Sequence, residues 1–300
     1  MKPKLWVIAV IGFNLTTVYA QPVKDYVLCN VVQKGNRDAS TDGSLRFEVK
    51  IDAHTVSDVR SAPVSHPRRI MLLQDLSGSL RKGKASAISA EAISDFSAVT
   101  SADDQLGLVD FNDQYFLDIT LRDAKAFSQR YNDPSFQQRI DYRGGTALFD
   151  ALVATASYLG ENPQEGDSII VISDGGDNAS YLNAKVTREK LLAARIRVYM
   201  LVLPGIESGY ARSTPSAMLD IVRETGGTTA IADSQKDSVQ GWSQTVYNLI
   251  KRPERIDFEV SPAVLSPVRL NVAVSQQDGG RGPKLELVCP RQLSASPRVQ

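Results

Sequence analysis

The sequence predicts an α/β protein: a doubly wound, mostly parallel sheet with helices on both faces, plus a small β unit formed by the two flanks of the chain. Three observations carry this. From Arg69 to about Arg252, apolar runs of strand length alternate with longer segments of helical period, the pattern of parallel strands joined by crossover helices. On either side of that stretch the helical period is absent and short alternating runs replace it, as in half-buried strands. With 300 residues and 42% apolar content, the chain can bury one full core and a smaller one.

The elements follow in order. Residues 1–20 carry Lys2 and Lys4, the apolar run Leu5 to Phe13, and Val18-Tyr19-Ala20, and read as a cleavable secretory signal with cleavage near Ala20. The run is too short to span a bilayer, and no later stretch reaches the roughly 18 apolar residues required. The expected mature chain starts near Gln21, without an integral membrane segment, secreted or in the periplasm. Residues 21–66 form an N-terminal β flank, with strands at Tyr26 to Val32 and Arg46 to Ile51 separated by the polar stretch Lys34 to Gly43.

Residues 67–252 form the α/β domain. Strands are expected at Ile70 to Leu73, Leu106 to Phe111, Ser168 to Ser173, Arg197 to Leu203 and Thr228 to Ala232, with a short antiparallel edge strand at Phe116 to Leu121. Helices are expected at Ala85 to Thr100, Asp123 to Tyr131, Ala147 to Leu159, Ala184 to Arg195, Pro215 to Thr225 and Ser238 to Leu249. Residues 253–291 form a C-terminal β flank (Ile256 to Val260, Val268 to Val274, Leu285 to Val288) that packs with the N-terminal one, and 292–300 a disordered tail. Cys29 and Cys289 fall one in each flank. An oxidising compartment favours a disulfide between them, which would close nearly the whole mature chain; the alternative is two buried thiols.

Charge narrows the partners. With 34 basic and 34 acidic residues, there is no electrostatic reason to expect nucleic acid or an anionic membrane surface.

In a parallel sheet, ligands gather at the carboxyl ends of the strands, and three polar clusters fall there. Asp75-Leu76-Ser77-Gly78-Ser79 follows the first buried strand, and its alternate side chains can face one point. Gly144-Gly145-Thr146 opens a helix, with glycines suited to positive φ and Thr146 at the expected N-cap. Ser173-Asp174-Gly175-Gly176-Asp177-Asn178 ends another strand. Carboxylates and hydroxyls without His or Cys make the ligand set of a hard cation, Mg²⁺ first, with Mn²⁺ and Ca²⁺ as alternatives. Two carboxylates and three hydroxyls undersupply charge, so such an ion would seek an acidic group from outside.

Two competing chemistries read less well. Gly78, Gly83 and Lys84 have the spacing of a phosphate-binding loop and would suit an ATPase, but Ala85 stands where that loop presents a hydroxyl to Mg²⁺. A hydrolase lacks an imidazole near Ser77 or Ser79, because the chain has only His54 and His66, both in the N-terminal flank. Asp103, Asp104, Asp110 and Asp113 read as capping or solvated groups.

Asp75-x-Ser77-x-Ser79, the threonine of Arg143-Gly144-Gly145-Thr146-Ala147-Leu148 and the aspartate of Ile172-Ser173-Asp174-Gly175 resemble the metal-ion-dependent adhesion site of von Willebrand factor type A domains. The resemblance runs from about Arg69 to Leu249 and includes Leu108-Val109-Asp110-Phe111; the flanks and Ser173 to Ser180 look most like the bacterial, exported subgroup. It implies a Rossmann-like fold and a non-enzymatic adhesion or assembly module. Ser77 and Ser79 would hold the ion directly, Thr146 directly in the ligand-competent state, and Asp75 and Asp174 through water. Gly145 would sit beside the ligands, and a partner protein's Asp or Glu would complete the shell. Asp177 has two readings, beside the ligands as an electrostatic tuner or as a stabiliser of its own turn. Gln74 departs from the family, which often has an apolar residue or an Asp there. A scaffold role in an envelope complex is the remaining alternative.

Overall fold

The computed structural model describes residues 23–33, 45–52, 54–56, 58–81, 84–204, 216–232, 239–260, 268–276 and 285–293. The expected signal at 1–20, Gly83 of the phosphate-loop spacing, and residues from Ser294 onward lie outside them.

The N-terminal strands are β1 (Val23–Gln33), β2 (Leu45–Ile51), β3 (His54–Thr55) and β4 (Arg60–Pro63). Next come β5 (Arg69–Asp75), α1 (Ala85–Val99), β6 (Gln105–Phe111), β7 (Tyr115–Asp123), α2 (Ala124–Tyr131), α3 (Pro134–Gln137) and α4 (Leu148–Gly160). The α/β region continues with β8 (Ser168–Ser173), α5 (Ala184–Ala193), β9 (Arg197–Val202), α6 (Ser216–Glu224), β10 (Thr229–Ile231) and α7 (Val239–Lys251). Last are β11 (Glu254–Val260), β12 (Val268–Gln276), β13 (Leu285–Val288) and β14 (Gln292–Leu293).

The central sheet has the order β10-β9-β8-β5-β6-β7, parallel throughout except for β7, which runs antiparallel to β6 at the edge. Its inner strands are continuous apolar runs because both faces are covered. Ile70, Leu72, Leu108, Ile170 and Leu201 pack with Ile93, Phe96, Phe127 and Val246 on one side. Met71, Leu73, Val109, Val171 and Met200 pack with Leu152, Leu159, Leu191 and Ile221 on the other. Alternate residues of one strand thus feed two cores, so no polar face interrupts the run.

The flanks form two four-stranded antiparallel sheets, β13-β1-β11-β4 and β14-β12-β2-β3, each mixing strands from both ends of the chain. Val27, Phe47, Val49, Ile256, Phe258, Leu270 and Leu293 share one cluster between them. Cys29 and Cys289 form a disulfide (S–S 2.08 Å) across 260 residues of sequence. It fastens β1 to the segment just after β13.

Several expectations are corrected. Gln292 and Leu293 belong to a strand, since Leu293 pairs with Val268 and is buried in the flank core. The tail therefore does not begin at 292. β3 and β4 escaped notice because they are short and exposed at every position, leaving no apolar period. Helix α4 starts one residue later than expected, with Ala147 rather than Thr146 at the N-cap. Asp104 is fully buried: it accepts from the Arg68 N–H (2.7 Å) and Tyr247 Oη (2.7 Å) and pairs with Lys251 (3.1 Å). Asp110 is also buried, so neither is a solvated or capping group. Among the described residues, no helix is long and apolar enough to cross a membrane.

Candidate metal centre

Strand order reverses at β5: the chain moves from it to β6 on one side and returns to β8 on the other. Such a switch point leaves a crevice at the carboxyl ends of the two strands. Gln74 is paired with Ile172, which brings Asp75 beside Ser173 and the first polar cluster against the third.

Asp75 is fully buried at the end of β5. Its Oδ1 accepts the Ser77 N–H at 2.8 Å, and its Oδ2 accepts the Ser173 hydroxyl at 2.5 Å. Burial pushes its pKa from 3.8 up to about 6; the hydrogen bonds from Ser173 and Ser77 oppose the rise, and the charge of Asp174 adds to it. Ser79 Oγ donates to Asp174 Oδ2 at 3.0 Å and lies 3.1 Å from Ser77 Oγ. Asp75, Ser77, Ser79 and Asp174 are therefore joined by hydrogen bonds into one oxygen cluster. Among the described residues, neither Asp75 nor Asp174 has an ion pair with Lys, Arg or His.

The loop that carries Thr146 is bonded to the loop that carries Ser77 and Ser79. Gly78 N–H donates to the Gly144 carbonyl (3.2 Å) and Arg143 N–H to the Leu76 carbonyl (2.8 Å), which laces the first loop to the second. Thr146 N–H donates to Asn178 Oδ1 (2.8 Å), and its carbonyl accepts from Asn178 N–H (3.0 Å) and Ala179 N–H (3.1 Å). These bonds lace the second loop to the third and hold Thr146 outside the helix, which is why it does not cap α4. Of the two glycines, only Gly144 has positive φ (74°). Gly145 is needed for space: a Cβ there would lie 2.8 Å from Asn178 Oδ1.

Asp177 faces elsewhere. Its Oδ2 accepts the Phe149 N–H (3.0 Å) and the Ser180 hydroxyl (2.6 Å), so it caps the first turn of α4. Asp150, in that same turn, accepts the N–H groups of Tyr181 and Leu182, each at 2.9 Å, which anchors the third loop. Two positioning residues escaped sequence reasoning, Ser173 and Asn178. Both lie in the Ser173 to Asn178 cluster, and Asn178 had the local signal of an Asn in a Gly-rich turn; only the tertiary contact assigns it to Thr146.

His54 is exposed and His66 half-buried, and His66 precedes β5, roughly 20 Å of strand away from Asp75 at about 3.3 Å per residue. No cluster of three or more His, Cys, Asp or Glu side chains suited to a metal occurs among the described residues. The cluster of Asp75, Ser77, Ser79 and Asp174 differs from such a group in kind, having two carboxylates and two hydroxyls.

Residues 70–176 match the family described as von Willebrand factor type A domain. No curated protein matches the chain. Among solved structures, the chain is similar to a von Willebrand factor type A protein from Catenulispora acidiphila, at 12% identity over 94% of this chain and 76% of that one, TM-score 0.51. It is also similar to proximal thread matrix protein 1 from the mussel byssus, in a structure described as having a zinc-occupied MIDAS motif, at 15% identity over 65% of this chain and 49% of that one, TM-score 0.50. This chain thus spans about half the length of the mussel protein. The matches support a von Willebrand factor type A domain, and at these identities the structures speak for the fold alone.

Proposed function

We propose that this von Willebrand factor type A domain is an exported, non-enzymatic protein-binding module that holds a divalent cation, Mg²⁺ first, on Asp75, Ser77, Ser79, Thr146 and Asp174. The observation that carries the reading is a buried carboxylate, Asp75, set among hydroxyls at the sheet's switch point with no basic side chain paired to it among the described residues. A buried anion is costly unless paired, and a cation is the partner that this donor set suits.

One spacing is compatible with a small ion: oxygens directly bound about 2.0–2.1 Å from Mg²⁺ lie roughly 2.9 Å apart, close to the 3.1 Å between Ser77 Oγ and Ser79 Oγ. Hydrogen bonds give similar spacings, so the donor chemistry weighs more. Ser77, Ser79 and Thr146 would hold the ion directly, and Asp75 and Asp174 through water. When bound, the ion supplies a positive centre for an Asp or Glu carboxylate of a partner protein. The Asn178 and Gly78–Gly144 contacts keep the three loops in register for it. The family resemblance and the mussel neighbour's zinc-occupied motif point the same way. The Cys29–Cys289 disulfide suits an oxidising compartment outside the cytoplasm.

Isothermal titration with Mg²⁺ and Mn²⁺ on the native chain and on Asp75→Ala tests the site. Saturable binding by the native chain and its loss in the variant are expected; equal binding by both would sink the assignment. A pull-down from the native secretome, with and without EDTA and with Thr146→Ala, tests capture of the partner.

A further inference from the structure

A pocket of about 190 Å³ opens behind the first loop of the metal centre, lined among others by Leu76, Asp110, Phe116, Asp118, Arg139 and Arg143. Leu76 lies between Asp75 and Ser77, so the pocket adjoins the loop that carries the oxygen cluster. At its inner wall, Asp110 of β6 is 5% exposed, and its Oδ1 is buried without a hydrogen-bond partner. A buried acceptor left unmet costs free energy, which a donor entering the pocket would recover.

Asp118 of β7 stands beside Asp110: after burial, its charge and a hydrogen bond between the two carboxyl groups hold the Asp110 carboxyl well above the usual range. The pair thus shares a proton, which an entering cation would displace. The basic residues at the pocket already have partners: Arg139 is 3.8 Å from Asp118, and Arg143 is 3.5 Å from Asp141. Both arginines are more than half exposed, so these pairs are solvent-screened and easily exchanged. Neither meets Asp110 Oδ1. Phe116, 51% exposed, offers an aromatic face at the rim and continues into exposed Tyr115 and Leu117 on the edge strand.

We propose that this pocket is a second recognition site beside the metal centre, and that it takes a basic side chain, lysine or arginine, of the same protein partner. Its N–H groups would meet Asp110 Oδ1, its charge would face Asp118, and its stem would lie on Phe116. This rests on the metal-dependent binding proposed above, and would make the partner's signature an acidic residue for the ion and a basic one for the pocket.

The probe is n-propylguanidinium chloride, with uncharged n-propylurea as its near-isostere, followed by NMR on the full chain in EDTA. Saturable shifts of the Phe116 and Asp118 resonances are expected, with affinity about tenfold weaker for the urea and about tenfold weaker in Asp118→Asn. Phe116→Ala, at an exposed position, should weaken binding as well. Absence of saturable shifts, equal affinity for the urea, or unchanged affinity in Asp118→Asn would overturn the proposal. EDTA separates the two readings: guanidinium binding without Mg²⁺ binding removes the metal centre and leaves a cation pocket, whereas Mg²⁺ binding without guanidinium binding removes the pocket alone.

Discussion

The two edges of the central sheet handle buried charge in opposite ways. At the amino edge every buried carboxylate has a base: Arg69 Nε donates to Asp167 at 2.9 Å, and Asp104 is met by Lys251 at 3.1 Å. At the carboxyl edge Asp75 is just as buried, yet its partners are a hydroxyl and a backbone N–H. The amino edge is closed in the sense that its buried carboxylates are paired, while its buried Arg197 is met by carbonyl oxygens and Asn30 rather than by an anion. The carboxyl edge is open: among the described residues, Asp75 and Asp174 have no ion pair with a basic side chain. A buried ion pair by itself says little about function, whereas a buried anion among oxygen donors is an invitation to a cation.

That contrast can be broken at several points. The largest effect is expected at the closed edge. Asp167→Ala strands the Arg69 guanidinium in the interior and should cost about 3–5 kcal/mol in urea unfolding, and the double variant Arg69→Met with Asp167→Leu should recover most of it. An unchanged midpoint in the single variant would mean that this edge is not closed by charge.

At the open edge the prediction is a pH dependence. Asp75 has a folded pKa of about 6 against an ordinary 3.8, so in EDTA the folded chain binds its proton more tightly than the unfolded one. Its contribution to stability is full below pH 4 and is lost as pH rises through 6, a change of about 3 kcal/mol. Urea midpoints between pH 4 and 7 should show this fall in the native chain relative to Asp75→Asn, and Mg²⁺ should restore stability at pH 7. A parallel pair of profiles would remove the claim that Asp75 is buried without a balancing charge.

Smaller effects sharpen the comparison. Ser79→Ala should weaken Mg²⁺ about tenfold by titration calorimetry while leaving the metal-free midpoint unchanged. An ion pair at neither edge, Lys50–Glu48, has side chains 45% and 52% exposed, and Glu48→Gln should change stability by under about 0.5 kcal/mol.

The open edge was easier to read from the sequence than the closed one. Asp75, Ser77, Ser79, Thr146 and Asp174 lie in short motifs beside strand-length apolar runs, and a parallel sheet brings all such strand ends to one side. Asp104, Asp167, Arg69 and Lys251 carry no local pattern; each pairs with a residue tens of positions away or more. Asp104 therefore read as solvated although it is fully buried, and Asp110 was misread for the same reason. Thr146 read as a helix cap because Gly-Gly-Thr before a helix suggests one locally, while Asn178, 32 residues on, binds its N–H and holds it in the loop.

The sequence by itself determined the alternation of strands and helices, the flanking β runs and the oxygen-rich loops. These follow from periodicity and composition over a few residues at a time, where steric and burial preferences act locally. Tertiary structure alone decided the strand order that puts β5 beside β8, and hence Asp75 against Ser173 and within reach of Asp174. It also decided which carboxylates found a base and which did not, because pairing between distant residues is set by the packing of the whole sheet.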